Sequence, residues 1–201
     1  QWAVHLAEAL QAPAIVLSDQ FMGQSRAIID RPADAGWVAA RAVAAAGTPD
    51  YRRYRDTASG VSPMALPGTP GHAYTADGLE KNEAGTPSSS ARDHAVQLDK
   101  RARKLALHDY GDTWAEVEGD GEIAIITFGS ATGPVREAIR RAAASGVSAR
   151  LIAMRLLAPA LPSRLDAALA GVRHVVVVEQ NHGAQFYRYL RAWFDLPGRP
   201  E

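Results

Sequence analysis

Two short aliphatic runs constrain this chain more than anything else in it: Ile123-Ala124-Ile125-Ile126 and Val175-Val176-Val177-Val178. Neither alternates apolar with polar residues, so both faces of each strand have to be covered, the pattern of a parallel sheet held between helices. The neighbouring sequence supplies those helices. From Glu122 onward the spacing predicts strand 123–128, helix 134–145, strand 150–154, helix 164–170, strand 174–178 and helix 184–194. Gly146 and Gly171 stand where helices end on a left-handed residue, and Pro134 stands in a first turn. Region 122–201 is therefore expected to hold three βα units of one α/β layer structure.

The rest of the chain divides in two. Trp2, Leu6, Ala9 and Leu10 share one helical face with no start methionine or capping residue before them, so Gln1 is read as a break within a longer polypeptide. Pro13 then stops the helix, and Ala14-Ile15-Val16-Leu17-Ser18 reads as a buried strand with Asp19-Gln20 as its polar exit. A lone strand cannot cover both its faces, so region 1–30 is expected to join a sheet completed elsewhere. Region 31–121 carries prolines at 32, 49, 63, 67, 70 and 87 and little periodicity before residue 91. Tyr51, Tyr54, Met64, Leu66, Tyr74 and Leu79 give it apolar groups to dock with, so it is expected to be an ordered arm and not a loose linker. Near its end Ser90 and Asp93 have capping-box spacing. Ala91, Ala95, Leu98, Ala102 and Leu105 follow as the apolar face of a helix whose polar side carries Lys100, Arg101, Arg103 and Lys104.

Composition narrows the chemistry. The 22 basic residues balance 22 acidic ones in 201, which gives no general reason to bind nucleic acid or an anionic membrane. No apolar run reaches the roughly 18–20 residues of a membrane span, so the expected address is cytoplasmic. With no cysteine, the chain offers no thiolate to a zinc site or an iron–sulfur cluster. Its histidines, at 5, 72, 94, 108, 174 and 182, have no metal-site spacing, so no metal ligand is assigned. A G-x-S-x-G nucleophile elbow is absent as well.

Strand ends are where open α/β sheets gather ligands. Gly129-Ser130-Ala131-Thr132-Gly133 has the backbone to hold an anion or simply to make a tight turn, and Glu179-Gln180-Asn181-His182-Gly183 has the side chains to contact a ligand or to cap the next helix. Within the arm, the stretch from Tyr51 to Pro63 concentrates Arg52, Arg53 and Arg55 with Thr57, Ser59 and Ser62 around Gly60. A guanidinium beside a hydroxyl suits a small carboxylate, because the planar fork donates two charge-assisted hydrogen bonds. The same arginines could instead pair with Asp50 and Asp56.

Taken in order, these segments resemble the α subunit of 2-oxoacid:ferredoxin oxidoreductases, and within that family the 2-oxoglutarate enzymes. The resemblance runs through Ile15-Val16-Leu17-Ser18-Asp19-Gln20, Arg53-Tyr54-Arg55, Gly60-Val61-Ser62-Pro63, Pro67-Gly68 and Gly78-Leu79-Glu80-Lys81-Asn82-Glu83. It continues through Gly129-Ser130, Leu157-Ala158-Pro159 and Glu179-Gln180-Asn181. It implies an enzyme dependent on thiamine diphosphate and Mg2+ that oxidatively decarboxylates a 2-oxoacid, yields an acyl-CoA and passes electrons through a [4Fe-4S] cluster to ferredoxin. The same resemblance implies a β subunit that holds those cofactors, an (αβ)2 assembly, and no cofactor bound by this chain alone. Residues 1–30 then correspond to the end of a pyrimidine-binding domain, 31–121 to a connecting arm, and 122–201 to a parallel-sheet transketolase C-terminal-like domain. Arg55 and Thr57, followed by Arg53 and Ser62, are the implied contacts to the substrate carboxylate. No catalytic residue is implied within the chain, since the family's aminopyrimidine-activating acid and its Tyr-Pro-Ile-Thr-Pro-like segment have no counterpart here. The pattern departs at Met64 and Lys81, where members of the family carry arginine and histidine. Two other readings stand beside it: another thiamine enzyme of the transketolase or dehydrogenase type, and a non-catalytic module that only docks subunits.

Overall fold

The computed structural model describes residues 1–33 and 36–198. Its contacts divide the chain into two compact units, one of Gln1–Val16 with Ile29–Asp109 and one of Leu17–Ile28 with Tyr110–Glu201.

The second unit is built on a four-stranded sheet. Strands β1 (Ala115–Glu118), β2 (Ile123–Phe128), β3 (Ala149–Met154) and β4 (His174–Val178) lie in the order β1-β3-β2-β4. Pairing of β2 with β3 and β4 is parallel, with Ile126 opposite both Ile152 and Val177. The expectation of a purely parallel sheet is corrected by β1, which runs antiparallel to β3 with Ala115 opposite Met154. That strand has only Val117 as a large apolar residue and exposes Glu116, Val117 and Glu118, so no aliphatic run announces it. It is a short charged edge, a form that discourages further pairing.

One face of the sheet packs Ala124, Ile126, Ile152, Met154 and Val175 against Leu165, Leu169, Phe186, Leu190 and Phe194. Those partners come from helices α5 (Pro162–Ala168) and α6 (Gln185–Trp193) and the residues just after them. The other face packs Leu151 and Ala153 under Val135 and Ile139 of α4 (Thr132–Ala144). Unalternating strands therefore do meet cover on both faces, the reason these sequences contain no polar row. Thr127, fully buried in β2, is tolerated because its Oγ1 donates to the Val178 carbonyl at 2.8 Å. Arg150 donates to the free carbonyls of Ala168 and Ala170 at the end of α5, closing that helix with a positive charge.

In the first unit, α1 (Trp2–Leu10) buries Leu6 and Leu10 and stops at Gln11, which adopts φ 47°. The chain that follows, over 14–18, finds no strand partner among the described residues. It is not in a ladder, and Ile15, Val16 and Leu17 are 84, 74 and 64% exposed. Among the described residues nothing pairs with it, and a strand without a ladder has no means of covering its backbone. In the second unit, Asp19 accepts from Met22 N at 2.8 Å and starts the five-residue helix α2 (Gln20–Gln24).

The arm is ordered by turns and by the long helix α3 (Ala91–Ala106). Ser90 caps α3 by accepting from Asp93 N, while the Asp93 carboxylate accepts from Ser88 Oγ at 2.6 Å and leaves the capping box half formed. The face α3 turns inward is the opposite of the one its periodicity suggests. Gln97 and Lys100 are its buried residues, whereas Ala91, Ala95, Leu98 and Ala102 are exposed. Gly60 makes this packing possible, since a Cβ built there would lie 2.6 Å from the Lys100 carbonyl oxygen and 2.7 Å from Lys104 Cβ. With φ at 75° and no room for a methyl group, the position requires glycine.

Candidate functional site

The four residues singled out in the arm, Arg53, Arg55, Thr57 and Ser62, lie in one compact turn of chain. Asp50, held at φ 47°, starts it. Its carboxylate accepts from Arg52 Nε at 3.1 Å and from Arg55 Nη2 at 3.0 Å, and its carbonyl accepts from the same Arg55 nitrogen at 2.6 Å. These guanidiniums therefore adopt the ion-pair arrangement, in contact with solvent, where such pairs are weak and readily exchanged. Ser62 is buried and donates Oγ to the Arg55 carbonyl at 2.7 Å, and Thr57 Oγ1 donates to the Val61 carbonyl at 3.1 Å. The two hydroxyls close the loop on itself.

Arg53 points the other way. Its Nη1 donates to the Ser62 carbonyl at 3.1 Å, its Nη2 to Gln11 Oε1 at 2.7 Å, and its guanidinium carbon sits 5.7 and 5.9 Å from the ring centroids of Tyr54 and Tyr74. Gln11 is thereby a hub, because its Nε2 donates to the Ser62 carbonyl at 3.1 Å and its carbonyl accepts from Lys104 Nζ at 3.0 Å. No sequence signal marks it. The left-handed residue that ends α1 turns its amide toward the arm, a consequence of tertiary packing alone.

The polar face of α3 carries the loop. Gln97 Nε2 donates to the Tyr54 carbonyl at 2.9 Å, and Arg103 donates to the Thr57 carbonyl at 2.9 Å and to the Asp56 carboxylate. Asp56 N in turn donates to Glu83 Oε1 at 2.9 Å. Glu80 joins the arm to the same helix through Arg101 at 2.8 Å and His94 at 2.9 Å, and those partners, Arg101 first, hold its carboxyl down at about 2. The two departures from the family pattern have definite places. Lys81 is 2% exposed and donates to Asp77 at 2.6 Å, and Met64 exchanges backbone hydrogen bonds of 2.8 Å with Ala42 and Ala44.

At the strand ends of the sheet unit, the two alternatives separate. The Glu179 carboxylate accepts from Phe186 N and Tyr187 N at 2.9 Å each, and Asn181 Oδ1 accepts from Gln185 N at 2.9 Å. This loop caps α6, an arrangement that satisfies three amide donors of its first turn. Ser130, in the turn after β2, donates to the carboxylate of Asp19. Among the described residues no group of three or more His, Cys, Asp or Glu is placed to hold a metal ion.

Against known proteins, residues 121–192 match the family described as pyruvate:ferredoxin oxidoreductase core domain II. The chain is 34% identical over 199 residues to the α subunit of 2-oxoacid:ferredoxin oxidoreductase 2 from Aeropyrum pernix, a match that covers 94% of this chain and 30% of that subunit. It is 31% identical over 192 residues to the 2-oxoglutarate oxidoreductase subunit KorA of Mycobacterium tuberculosis, covering 94% of this chain and 29% of the relative. Among solved structures, it superimposes on the 2-oxoglutarate:ferredoxin oxidoreductase from Magnetococcus marinus with 2-oxoglutarate, coenzyme A and succinyl-CoA bound. The TM-score is 0.83 at 34% identity, over 98% of this chain and 35% of that one. The chain thus spans about a third of the length of these relatives.

Proposed function

Because the chain belongs to the family of 2-oxoacid:ferredoxin oxidoreductase α subunits, we propose that it serves the oxidative decarboxylation of 2-oxoglutarate to succinyl-CoA, with the electrons passed to ferredoxin. The observation that carries this reading is the likeness to the Magnetococcus marinus enzyme over 98% of the chain, sheet unit and arm alike. In the same reading, 1–30 ends a pyrimidine-binding domain, 31–121 is the connecting arm and 122–201 is the transketolase C-terminal-like domain. The enzyme works in the cytoplasm. No helix among the described residues is long and apolar enough to cross a membrane.

Thiamine diphosphate with Mg2+ would supply the electron sink for decarboxylation, and an iron–sulfur cluster the route for electrons. The donor set here does not fit the metal-bearing groups, since the chain has no thiolate and no cluster of carboxylates and imidazoles among its described residues. Following the family resemblance, we assign them to a β subunit, in an (αβ)2 assembly that meets ferredoxin and coenzyme A.

This chain's part is orientation of the substrate. Arg55 is held to Asp50 by a solvent-facing pair that a carboxylate can displace, and the Thr57 hydroxyl lies two residues away in the same turn. Arg53 and Ser62 complete the set, Ser62 by fixing the Arg55 backbone. Arg55→Ala in the intact complex is expected to raise the KM for the 2-oxoacid by roughly tenfold or more with a smaller change in kcat, as loss of one charge-assisted contact predicts. Unchanged steady-state kinetics would remove Arg55 from the site.

The deciding experiment is anaerobic reduction of a viologen dye by the native complex with coenzyme A, comparing 2-oxoglutarate with pyruvate. Preference for 2-oxoglutarate supports the full reading. Pyruvate is the natural competitor because the family matched by 121–192 carries its name, and preference for it would keep the family and change the substrate. A complex that retains its cofactors but reduces the dye with neither acid would overturn the proposed reaction.

A further inference from the structure

Arg55 is exposed, and its guanidinium rests on the carboxylate and the carbonyl of Asp50. A pair of that kind in contact with solvent exchanges readily, so it does not fix where the guanidinium stands once another carboxylate displaces Asp50. The backbone that carries the side chain does. An arginine reaches far from its Cα, and a small tilt of the peptide at its base is magnified at the tip, where recognition depends on orientation.

Three hydrogen bonds hold that base. Arg55 N donates to the Arg52 carbonyl at 3.2 Å, the Arg55 carbonyl accepts from Ser62 Oγ at 2.7 Å, and the Tyr54 carbonyl, on the peptide that leads into Arg55, accepts from Gln97 Nε2 at 2.9 Å. The first two lie within the turn and travel with it. The third comes from α3, 43 residues along the chain, and ties the peptide to a rigid element. Arg103 donates to the Thr57 carbonyl at 2.9 Å, so α3 meets the turn at two carbonyls three residues apart. Six residues of helix rise about 9 Å and three residues of chain reach at most about 11 Å, so the helix is matched in length to the stretch it holds. Gln97 is buried, and packing alone does not ask for an amide there. A methionine of similar volume would fill the place without the cost of burying polar atoms, and what glutamine adds is the hydrogen bond.

We propose that Gln97 is a positioning residue for Arg55: by donating to the Tyr54 carbonyl it fixes the peptide from which Arg55 reaches the substrate, and so sets the affinity for the 2-oxoacid. Gln97 does not itself touch substrate. This inference rests on the reading of Arg55 as a substrate contact. It extends the site from the turn to the inward face of α3, where no residue type marks it.

The test is a double-mutant cycle between Gln97→Met and Arg55→Ala in the intact complex, read as KM for the 2-oxoacid and as kcat in the viologen assay. Gln97→Met keeps the volume and removes the donor. Alone, it should raise KM about three- to tenfold and change kcat less than about twofold. In the Arg55→Ala background, where the group it places is gone, it should raise KM less than about twofold further. KM does not depend on how much of the enzyme is folded, so a merely structural role would lower kcat and leave KM alone. That result overturns the proposal, and so does an equal rise of KM in both backgrounds. If Gln97→Met does not assemble, Gln97→Asn, whose amide stops about 1.5 Å short of the Tyr54 carbonyl, takes its place in the same cycle with the same outcomes. Should Arg55→Ala itself leave KM unchanged, the reading of Arg55 fails and this role falls with it. A normal KM in Gln97→Met beside a raised one in Arg55→Ala removes Gln97 alone.

Discussion

In the sheet unit the most shielded large side chains are Ile126, Leu151, Ile152, Leu165, Leu190 and Val175. In the arm unit the most shielded large side chain is Lys81, and Ser62, His72, Gln97 and Lys100 are buried with it. The first interior is held by removal of apolar surface from water, which is non-directional and roughly proportional to area. The second is held by hydrogen bonds and ion pairs, each of which works only in one geometry. A sheet unit of this kind tolerates exchange of one aliphatic residue for another of like volume, whereas the arm tolerates little change at any hub.

The largest effect is expected in the sheet. Ile152 is fully buried in β3, opposite Ile126 and Val117. Ile152→Ala should cost about 2–5 kcal/mol, the range for an aliphatic side chain removed from a packed core. Urea unfolding would show it as a lower midpoint with an unchanged slope. A cost below about 1 kcal/mol would mean that this interior is looser than its burial indicates.

The matching change in the arm is Gly60→Ala. A left-handed alanine costs roughly 1–2 kcal/mol, and the added methyl meets backbone at 2.6 and 2.7 Å, where neither neighbour is the flexible end of a side chain. Together these should destabilise the arm by about 2–4 kcal/mol. Amide exchange of 53–64 and of α3 would accelerate. A neutral outcome would show that the loop can leave the helix freely, against the account of α3 as its organiser.

The same contrast explains what could be read from the sequence. The boundaries of β2 and β4 match the periodicity, and α4, α5 and α6 each lie within two residues of it, because an aliphatic run or a helical stripe records burial directly. β1 left no such record, since its residues are charged and its role is to cover an edge. In the arm the pattern misleads. Ala91, Ala95, Leu98 and Ala102 form a helical stripe, yet they face outward, and Gln97 and Lys100 face in. Periodicity assumes that the apolar side is the buried one, and that assumption fails where the interior is polar. The concentration of arginines near Gly60 was legible as residue types. Which of them turns to Asp50 and which to Gln11 depends on contacts 42 residues apart, which local sequence does not encode.

A smaller effect sharpens the comparison inside the sheet unit, at its most polar loop. Glu179 accepts two amides at the start of α6, so Glu179→Ala should cost about 1–2 kcal/mol, as loss of a helix cap does. Exchange at Phe186 and Tyr187 would report it. Should Glu179→Ala instead leave stability intact and impair turnover of the complex, the loop would serve a ligand and not a cap.

The smallest effect concerns acid, and it belongs to the arm. Glu80 stands at about 2, held there first by the Arg101 guanidinium and also by His94, against an ordinary value of 4.5. A carboxyl depressed on folding stabilises the folded chain above its ordinary value and loses that contribution as pH falls from about 4.5 through about 2. The arm should therefore loosen in that window, and Glu80→Gln should flatten the dependence there while leaving neutral pH little changed. Arg101 is half exposed and screened by solvent, so the slope should be shallow and should shrink further in high salt. Amide exchange of α3 as a function of pH measures it. A slope that survives in Glu80→Gln would move the acid sensitivity to Glu8 or Asp77, whose carboxyls are also held low, by Arg41 and by Lys81. The sheet unit serves as the comparison, since among its described residues the carboxyls held low, Asp19 and Glu118, are exposed.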